Sequence, residues 1–223
     1  MPKLIITQDG SHSLFHEALN ETYHSVHGAI QESVYVFIRQ GLAYLLQHHP
    51  ESTVAILEVG FGTGLNALLT LQYSIEQKAP IHYVTIEAYP LEESVWRSLN
   101  YPSTIGLKHH FEALHTLSWD KVHEVIPGFQ LKKMAEILQE AKFDNEAFDV
   151  IFFDAFAPSK QPEMWTIPTL ERVASALRPG GIFVTYCARG QLKRDLMTLG
   201  FTVETLSGPP GKKEMVRAIK SGF

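Results

Sequence analysis

The chain has 223 residues, of which 45% are hydrophobic and 19% are charged, a composition that fits one compact domain better than two. Its net charge of −5 argues against a protein that coats nucleic acid without specificity, because such binding needs many cations to neutralise phosphates. A single cysteine, Cys187, excludes internal disulfides, and the lack of a signal peptide and of a membrane-length apolar run predicts a cytoplasmic protein.

The N-terminal part predicts a cap over a core domain. Residues 1–28 are polar and rich in turn-forming residues, and apolar residues at helical spacing predict a helix from Gln31 to His48. Pro50 is expected to end this helix. We therefore expect residues 1–50 to form a cap segment and a helix that pack on a domain of residues 51–223, in one compact unit.

Three glycines at alternate positions, Gly60, Gly62 and Gly64, stand between a predicted strand at 54–59 and a predicted helix at 65–77. Glycine adopts positive φ and lets backbone amides approach a ligand, and a helix N-terminus attracts carboxylates and phosphates. This pattern is common where S-adenosylmethionine binds. However, Gly62, Gly64 and Ala67 also satisfy the dinucleotide fingerprint, and a plain tight turn is a third interpretation.

The next predicted strand, 81–87, ends on an acid. Glu87 follows Gly64 by 23 residues, close to the roughly 20-residue offset at which a carboxylate binds ribose hydroxyls in doubly wound folds. The sequence therefore predicts that Glu87 binds the ribose of a nucleotide cofactor.

The rest of the chain alternates strands with helices, which predicts an α/β fold with a mostly parallel sheet and an antiparallel pair of strands at one edge. Residues 129–142 are ambiguous, although Leu131, Met134, Ala135 and Leu138 fit a helix. The other predicted elements are a helix around 91–99, a loop-rich stretch at 100–128, a strand at 148–153, a helix at 168–177, a strand at 181–187, a helix at 190–199, and strands near 201–206 and 214–219.

Asp154 is the predicted catalytic residue. It ends an apolar strand and should therefore lie at the carboxyl edge of the sheet, beside the glycine turn. The segment Asp-Ala-Phe-Ala-Pro at 154–158 resembles the Asp/Asn-Pro-Pro-aromatic motif with which amino-group methyltransferases hold a nitrogen. A carboxylate there can accept the hydrogens of an amine, and Phe156 or Trp165 can shield it from water. The alternative is an aspartate that only caps the following loop.

A metal site is not expected. The chain has eleven histidines, but His48/His49 and His109/His110 are adjacent pairs, and His24 and His27 have no further ligand at a convincing spacing.

Together these motifs resemble a known family. Residues 61–66, the segment from Asp154 to Pro158 with Lys160, the segment 162–165 and the segment 212–215 are similar to the methyltransferase domain of MnmC-type tRNA 5-methylaminomethyl-2-thiouridine biosynthesis proteins. Short matches at 9–11, 23–25, 28–29, 32–33 and 36–37 extend the resemblance over nearly the whole chain.

The resemblance implies a class I S-adenosylmethionine-dependent methyltransferase with a Rossmann-like sheet, which methylates the 5-aminomethyl group on the wobble uridine of tRNA. Bifunctional members carry a flavin-dependent oxidase domain in addition to the methyltransferase domain. Because the resemblance covers the methyltransferase domain, we expect this chain to perform only the methylation step. Its expected partners are a separate oxidase or the upstream tRNA-modifying enzymes. No membrane and no metal are expected to take part.

The resemblance also implies residue roles. Gly60, Gly62, Gly64 and Asn66 would bind the amino-acid part of the cofactor, and Glu87 its ribose. Glu32 or Ser33 would reach the cofactor from the cap. The predicted substrate-binding residues are Phe156, Pro158 and Trp165 near the amine, and Lys160, Arg194, Lys212 and Lys213 at tRNA phosphates.

One position departs from the family pattern. The acid that usually follows the third strand and binds the adenine amino group has no clear equivalent, and Glu136 is the nearest candidate. Two other functions stay open from the sequence: methylation of a small-molecule amine, favoured by the acidic net charge, and a nicotinamide-dependent oxidoreductase, permitted by the glycine spacing.

Overall fold

An eight-stranded sheet forms the centre of the protein in a computed structural model, which describes residues 2–49 and 53–222. A separate three-stranded sheet lies at the N-terminus. The strands are β1 Lys3–Ile6, β2 His12–His16, β3 Glu21–Thr22, β4 Val54–Val59, β5 Ile81–Ile86, β6 Val122–Ile126, β7 Phe129–Met134, β8 Phe148–Phe153, β9 Leu177–Thr185, β10 Phe201–Ser207 and β11 Glu214–Lys220.

The large sheet has the order β10-β11-β9-β8-β4-β5-β7-β6. Its five central strands are parallel, whereas β11 runs antiparallel to β9 and β10, and β6 runs antiparallel to β7. The mostly parallel sheet is therefore confirmed, with antiparallel strands at both edges rather than one. Strand β8 is buried along its whole length because helices cover both faces of the sheet.

Three consecutive helical segments, Ala29–Ser33, Val34–Ala43 and Tyr44–His48, form helix α1, whose middle segment has π-helical hydrogen bonding. The prediction for Pro50 and the proposed domain boundary at 50/51 lie outside the described residues. The other helices are α2 Leu65–Gln77, α3 Glu93–Trp96, α4 Tyr101–Ile105, α5 Lys108–Thr116, α6 Ile167–Ala176 and α7 Gly190–Thr198.

The core has two parts, one on each face of the large sheet. Helices α1 to α5 cover one face and share a hydrophobic cluster with β4 and β5, while α6 and α7 cover the other face. Leu14 of β2 belongs to the first cluster, so the N-terminal sheet packs on the same core as the helices. None of the helices in the described ranges is long and apolar enough to cross a membrane.

The structure differs from the sequence-based description in four segments. Residues 1–28 contain β1, β2 and β3 as well as turns, and the stretch 100–128 holds α4, α5 and β6 instead of loops. The helix-like spacing in 129–142 does not form a helix, because residues 129–134 are the strand β7, paired with β5 over its full length. The strand predicted at 181–187 begins earlier, at Leu177, and ends at Thr185.

Candidate active site

A cavity of about 980 Å³ opens at the carboxyl ends of β4, β5, β7 and β8. The carboxyl ends of parallel strands are where open α/β sheets bind ligands. The N-terminal sheet covers this cavity from the outside, since residues 15–16 and 19–27 line it. The site is therefore built from the sheet edge below and the cap above.

The glycine turn forms one wall of the cavity. Gly60 and Gly62 line it, and Gly60, Gly62 and Gly64 have φ of 94°, 48° and 73°, a range that favours glycine. The backbone N–H of Gly62 donates to Glu87 Oε2 at 3.0 Å, and the N–H of Tyr89 donates to Glu87 Oε1 at 2.9 Å. The Glu87 carboxylate is thus fixed at the cavity wall, and its remaining lone pairs can accept hydrogen bonds from a diol such as ribose.

Thr63, at the tip of the turn, is bonded from two sides. His24 Nε2 of the cap lies 2.8 Å from Thr63 Oγ1, and His115 Nε2 of α5 lies 3.1 Å from the Thr63 carbonyl oxygen. Burial lowers the pKa of His24 to about 4 and that of His115 to about 3, so both rings are neutral and His115 Nε2–H donates. A Cβ on Gly64 would lie 2.8 Å from His115 Nε2, so this glycine permits the packing of α5.

Asp154 lies directly after β8 at the cavity floor, where it accepts a hydrogen bond of 2.9 Å from Asn66 Nδ2. Burial and, to a smaller extent, the nearby Glu32 carboxylate raise the pKa of its carboxyl to about 7, while Asn66 and Lys212 oppose the shift. A carboxyl with this pKa exists in both protonation states near neutral pH. It can therefore accept a proton there, as a general base does.

Two charged residues stand beside Asp154. Lys212 Nζ, on the turn between β10 and β11, lies 2.5 Å from Glu32 Oε1 of α1 and 3.7 Å from the ring centroid of Tyr186. Glu32 Oε2 also accepts the backbone N–H of Ser25 at 2.7 Å. The pair ties the β10–β11 turn to the cap across the cavity, so Lys212 is part of the site wall rather than a free surface cation.

Aromatic rings close the cavity above Asp154. Tyr23 and Phe156 meet edge to face with their centroids 5.0 Å apart, and His16 lies 5.8 Å from Phe156. The loop that carries Phe156 is held from behind, because Trp165 Nε1 donates to the Phe156 carbonyl oxygen at 2.8 Å. Tyr186 Oη donates to the neighbouring Ala155 carbonyl oxygen at 2.8 Å. These rings form the wall of the cavity near the carboxyl, which is half-buried.

The structure brings most of the predicted site residues to this cavity. Nine of the predicted residues line it: Gly60, Gly62, Asn66, Glu87, Glu136, Glu32, Asp154, Phe156 and Lys212. Seven others are not among its lining residues: Gly64, Ser33, Pro158, Lys160, Trp165, Arg194 and Lys213. Ser33 is buried within α1, and Arg194 and Lys213 are exposed.

Several residues of the site were missed by sequence reasoning. Tyr23, His24 and Thr63 hold or cover the glycine turn, and Tyr186 holds the loop after Asp154. Thr63 lies inside the glycine motif, and Tyr23 and His24 lie in the segment 23–25 that resembles the family, so these three could have been singled out by position, whereas Tyr186 has no such signal. Within the described parts of the chain, no group of three or more His, Cys, Asp or Glu residues is arranged to hold a metal ion.

Comparison with known proteins agrees with this geometry. A family model for S-adenosyl-L-methionine-dependent methyltransferases matches residues 127–221. The tRNA 5-methylaminomethyl-2-thiouridine biosynthesis bifunctional protein MnmC of Nitrosospira multiformis is 30% identical over 218 residues, which are 92% of this chain and 35% of that protein. The protein of the same name from Aeromonas salmonicida is 29% identical over 213 residues, 88% of this chain and 32% of that protein.

A solved structure is similar over the whole chain. The crystal structure of MnmC2 from Aquifex aeolicus superposes with a TM-score of 0.81 and 28% sequence identity, and the match covers 100% of this chain and 71% of that one. The chain spans about a third of the length of the two curated relatives. The comparisons confirm the class I methyltransferase fold and the resemblance to MnmC-type methyltransferase domains that the motifs indicate.

Proposed function

We propose that this chain, which has the class I methyltransferase fold and is similar to the methyltransferase part of MnmC proteins, methylates tRNA. The reaction transfers a methyl group from S-adenosylmethionine to the 5-aminomethyl group on the wobble uridine, or 2-thiouridine, to give 5-methylaminomethyl. The observation that carries this proposal is the placement of Asp154, a half-buried carboxyl whose pKa is raised to about 7, on the floor of a cavity walled by the glycine turn.

The cavity fits S-adenosylmethionine. Gly60 and Gly62 present backbone rather than side chains to it, and Glu87 stands fixed at the wall where a ribose diol can donate to it. Glu136 follows β7 at the same edge and lines the cavity, which supports the proposal that it binds the adenine amino group. Asn66 and Glu32 also line the cavity, which supports the proposal that Asn66 binds the amino-acid part of the cofactor and that Glu32 reaches it from the cap.

The methyl group comes from the sulfonium of S-adenosylmethionine: the lone pair of the amine nitrogen forms a bond to the methyl carbon while the carbon–sulfur bond breaks and its electrons pass to sulfur. An alkylamine has a pKa of about 10.4 and is mostly protonated at neutral pH, so a proton must leave before attack. Ionised Asp154 accepts that proton and aims the nitrogen lone pair. Tyr23 and Phe156 exclude water, and the rigid floor aligns the displacement.

The tRNA itself would bind outside the cavity. Lys160 lies in the loop after β8, Arg194 on α7, and Lys213 on the β10–β11 turn, and the last two are exposed. We propose these three as phosphate contacts, with Phe156 and Pro158 shaping the entrance for the modified base, while Trp165 holds the Phe156 loop from behind. We do not propose Lys212 as a phosphate contact, because its ammonium pairs with the Glu32 carboxylate and lies over the ring of Tyr186.

The substrate implies partners and a location. An aminomethyl uridine must first be made by upstream tRNA-modifying enzymes, or released by a separate oxidase from a longer side chain. We propose both as functional partners, and a cytoplasmic location because tRNA modification takes place there.

The test is methyl transfer with labelled S-adenosylmethionine to total tRNA from cells that lack the gene for this protein. We expect label in tRNA, recovered in a single modified nucleoside after digestion, and an initial rate of labelling that is lower by roughly 10²-fold or more with the Asp154→Asn variant. Tritium incorporated into small amines but not into tRNA would support the small-molecule alternative instead. Binding of NAD in calorimetric titration, with no heat from S-adenosylmethionine, would overturn the proposal altogether.

A further inference from the structure

A second buried carboxyl lies behind Asp154. Glu58, near the end of β4, is 0% exposed, and its neighbour in the register with β5 is Thr85. Tyr83, two residues before Thr85, points to the same face of the sheet because side chains alternate along a strand. Asn66, Tyr83 and Thr85 all lie close enough to act on the Glu58 carboxyl.

Several buried polar atoms of this cluster lack hydrogen-bond partners. Within residues 2–49 and 53–222, no hydrogen-bond partner is found for either carboxylate oxygen of Glu58, or for Asn66 Oδ1, Tyr83 Oη or Thr85 Oγ1. Buried polar atoms without partners cost free energy, so a cluster of them needs an explanation. An ionised Glu58 cannot bond to Asn66 Oδ1, because both are acceptors. A protonated Glu58 can, because its O–H donates.

Other features of the site favour the protonated form. Burial is the main cause that raises the pKa of Glu58 to about 8; Thr85 opposes the shift, the negative charge of Asp154 supports it, and Tyr83 and Asn66 oppose it more weakly. At neutral pH, Glu58 is therefore mostly a neutral acid. It has a proton to donate and an acceptor, Asn66 Oδ1, that has no other partner in the described chain.

We propose that Glu58 is a positioning residue for the reaction: it donates a hydrogen bond to Asn66 Oδ1 and thereby fixes the Asn66 amide with Nδ2 directed at Asp154. The inference depends on the proposed function. An amide that is free to flip would present Oδ1 to the Asp154 carboxylate, which repels it. Glu58 thus acts on the proton acceptor through one intervening side chain and does not touch the substrate.

The pKa values of Asp154 and Glu58 depend on the charged and titratable groups that surround the two carboxyls. Asp154 is faced by Glu32 of α1, Lys212 of the β10–β11 turn, Tyr186 after β9 and Glu58 of β4, and Glu58 is faced by Tyr83 of β5 and by Asp154. Among the neutral groups, the hydrogen bond from Asn66 lowers the pKa of Asp154. Loss of that bond should therefore raise the pKa of Asp154.

The experiment compares Glu58→Gln with Glu58→Leu. Glutamine has an N–H that can donate to Asn66 Oδ1 as the protonated acid does, so we expect kcat and its pH profile to stay near those of the wild type. Leucine cannot donate, so kcat should fall about tenfold or more, with S-adenosylmethionine affinity unchanged, as expected for a displaced reacting group. The acidic limb of the kcat profile should move to higher pH.

Asn66→Leu provides the control if Glu58→Leu does not fold. It should give the same direction of shift, and adding Glu58→Gln to it should change nothing further. If Glu58 were instead ionised and acted by its charge, Glu58→Gln would move the limb to lower pH, and that result would overturn the proposal. Titration of the Asp154 carboxyl by 13C NMR in substrate-free protein gives the same comparison, so the inference can be judged even if tRNA is not the substrate.

Discussion

The properties of Asp154 come from its surroundings rather than from its residue type. An exposed aspartate is ionised throughout the physiological range, whereas here burial and the Glu32 carboxylate raise the pKa to about 7. The Asn66 amide and the Lys212 ammonium oppose this shift and keep the ionised form accessible. The result is a carboxyl whose affinity for a proton matches the task of taking one from an amine at neutral pH.

This balance predicts the pH dependence of the reaction. Only ionised Asp154 can accept the proton, so kcat should rise with pH up to about 7 and then level off. Asp154→Asn keeps the shape of the side chain and an oxygen for Asn66 but cannot accept a proton. Its kcat should fall by roughly 10²-fold or more and lose the acidic limb.

Steady-state rates between pH 5.5 and 8.5 measure the pH dependence of kcat for the wild type and for Asp154→Asn. Calorimetric titration with S-adenosylmethionine is the control for cofactor binding. A variant that keeps the wild-type rate would show that Asp154 only caps the loop after β8.

At the scale of elements, the glycine turn depends on its neighbours. The turn between β4 and α2 would leave Thr63 mobile, but the cap and α5 both bind it, through His24 and His115. The cap therefore does more than cover the cavity, because it also fixes the turn that the cofactor is proposed to use.

Thr63→Val tests this connection. Valine has nearly the same shape but no hydroxyl, so buried His24 Nε2 loses its partner. Leaving one buried polar group unpaired should lower the free energy of unfolding by about 1–3 kcal/mol. Thr63→Ser keeps the hydroxyl and serves as the matched control. Chemical denaturation of the two variants makes the comparison, and equal stabilities would mean that the His24 contact does not hold the cap.

Elements with a continuous apolar sequence were predicted well, and those whose burial depends on distant partners were not. Strands β4 and β8 read as buried strands because nearly every position is apolar. The segment of strand β7 stayed ambiguous because Lys133, a charged residue, occupies one of its buried positions. Lys133 is buried since its Nζ donates to the His115 carbonyl oxygen at 2.7 Å and lies 4.7 Å from the Trp119 ring centroid.

The same limit applies to the N-terminal sheet and to the site. β1 and β2 are short, with Leu4 and Ile6 exposed, so no apolar pattern marks them as strands. Asp154, Glu87 and the glycines were found because each follows a recognisable strand. The pairing of Lys212 with Glu32 joins residues 180 positions apart in sequence, and no local pattern predicts it.

For the whole molecule, the distribution of charge matters more than its sum. The net charge is −5, yet basic residues outnumber acidic ones after residue 188. This region includes α7 and the β10–β11 turn, and Lys193 of α7 pairs at 3.0 Å with Glu214, the first residue of β11 after that turn. The opposite edge of the sheet, formed by β6, lies at the other end of the strand order.

This arrangement predicts that cations on α7 and the β10–β11 turn contribute to tRNA binding, whereas a cation at the β6 edge does not. Arg194→Ala with Lys213→Ala should weaken binding to every tRNA and reduce the slope of log affinity against log salt by about one unit or somewhat less per lost contact. Lys121→Ala, at the β6 edge, removes an exposed cation elsewhere and should leave the slope unchanged. Filter binding across a salt series measures all three proteins, and identical slopes would exclude this surface as the phosphate contact.

The two bonds to Thr63 have a consequence for how the protein folds. Its partners lie 39 residues before it and 52 residues after it, so the local sequence of the turn cannot assemble the site alone. Contacts between such distant residues form only after the loops that separate them have closed, which costs chain entropy and is slow. On the ribosome, a nascent chain that has not yet released His115 should therefore lack a finished ligand pocket, and ligand recognition should arise late in folding.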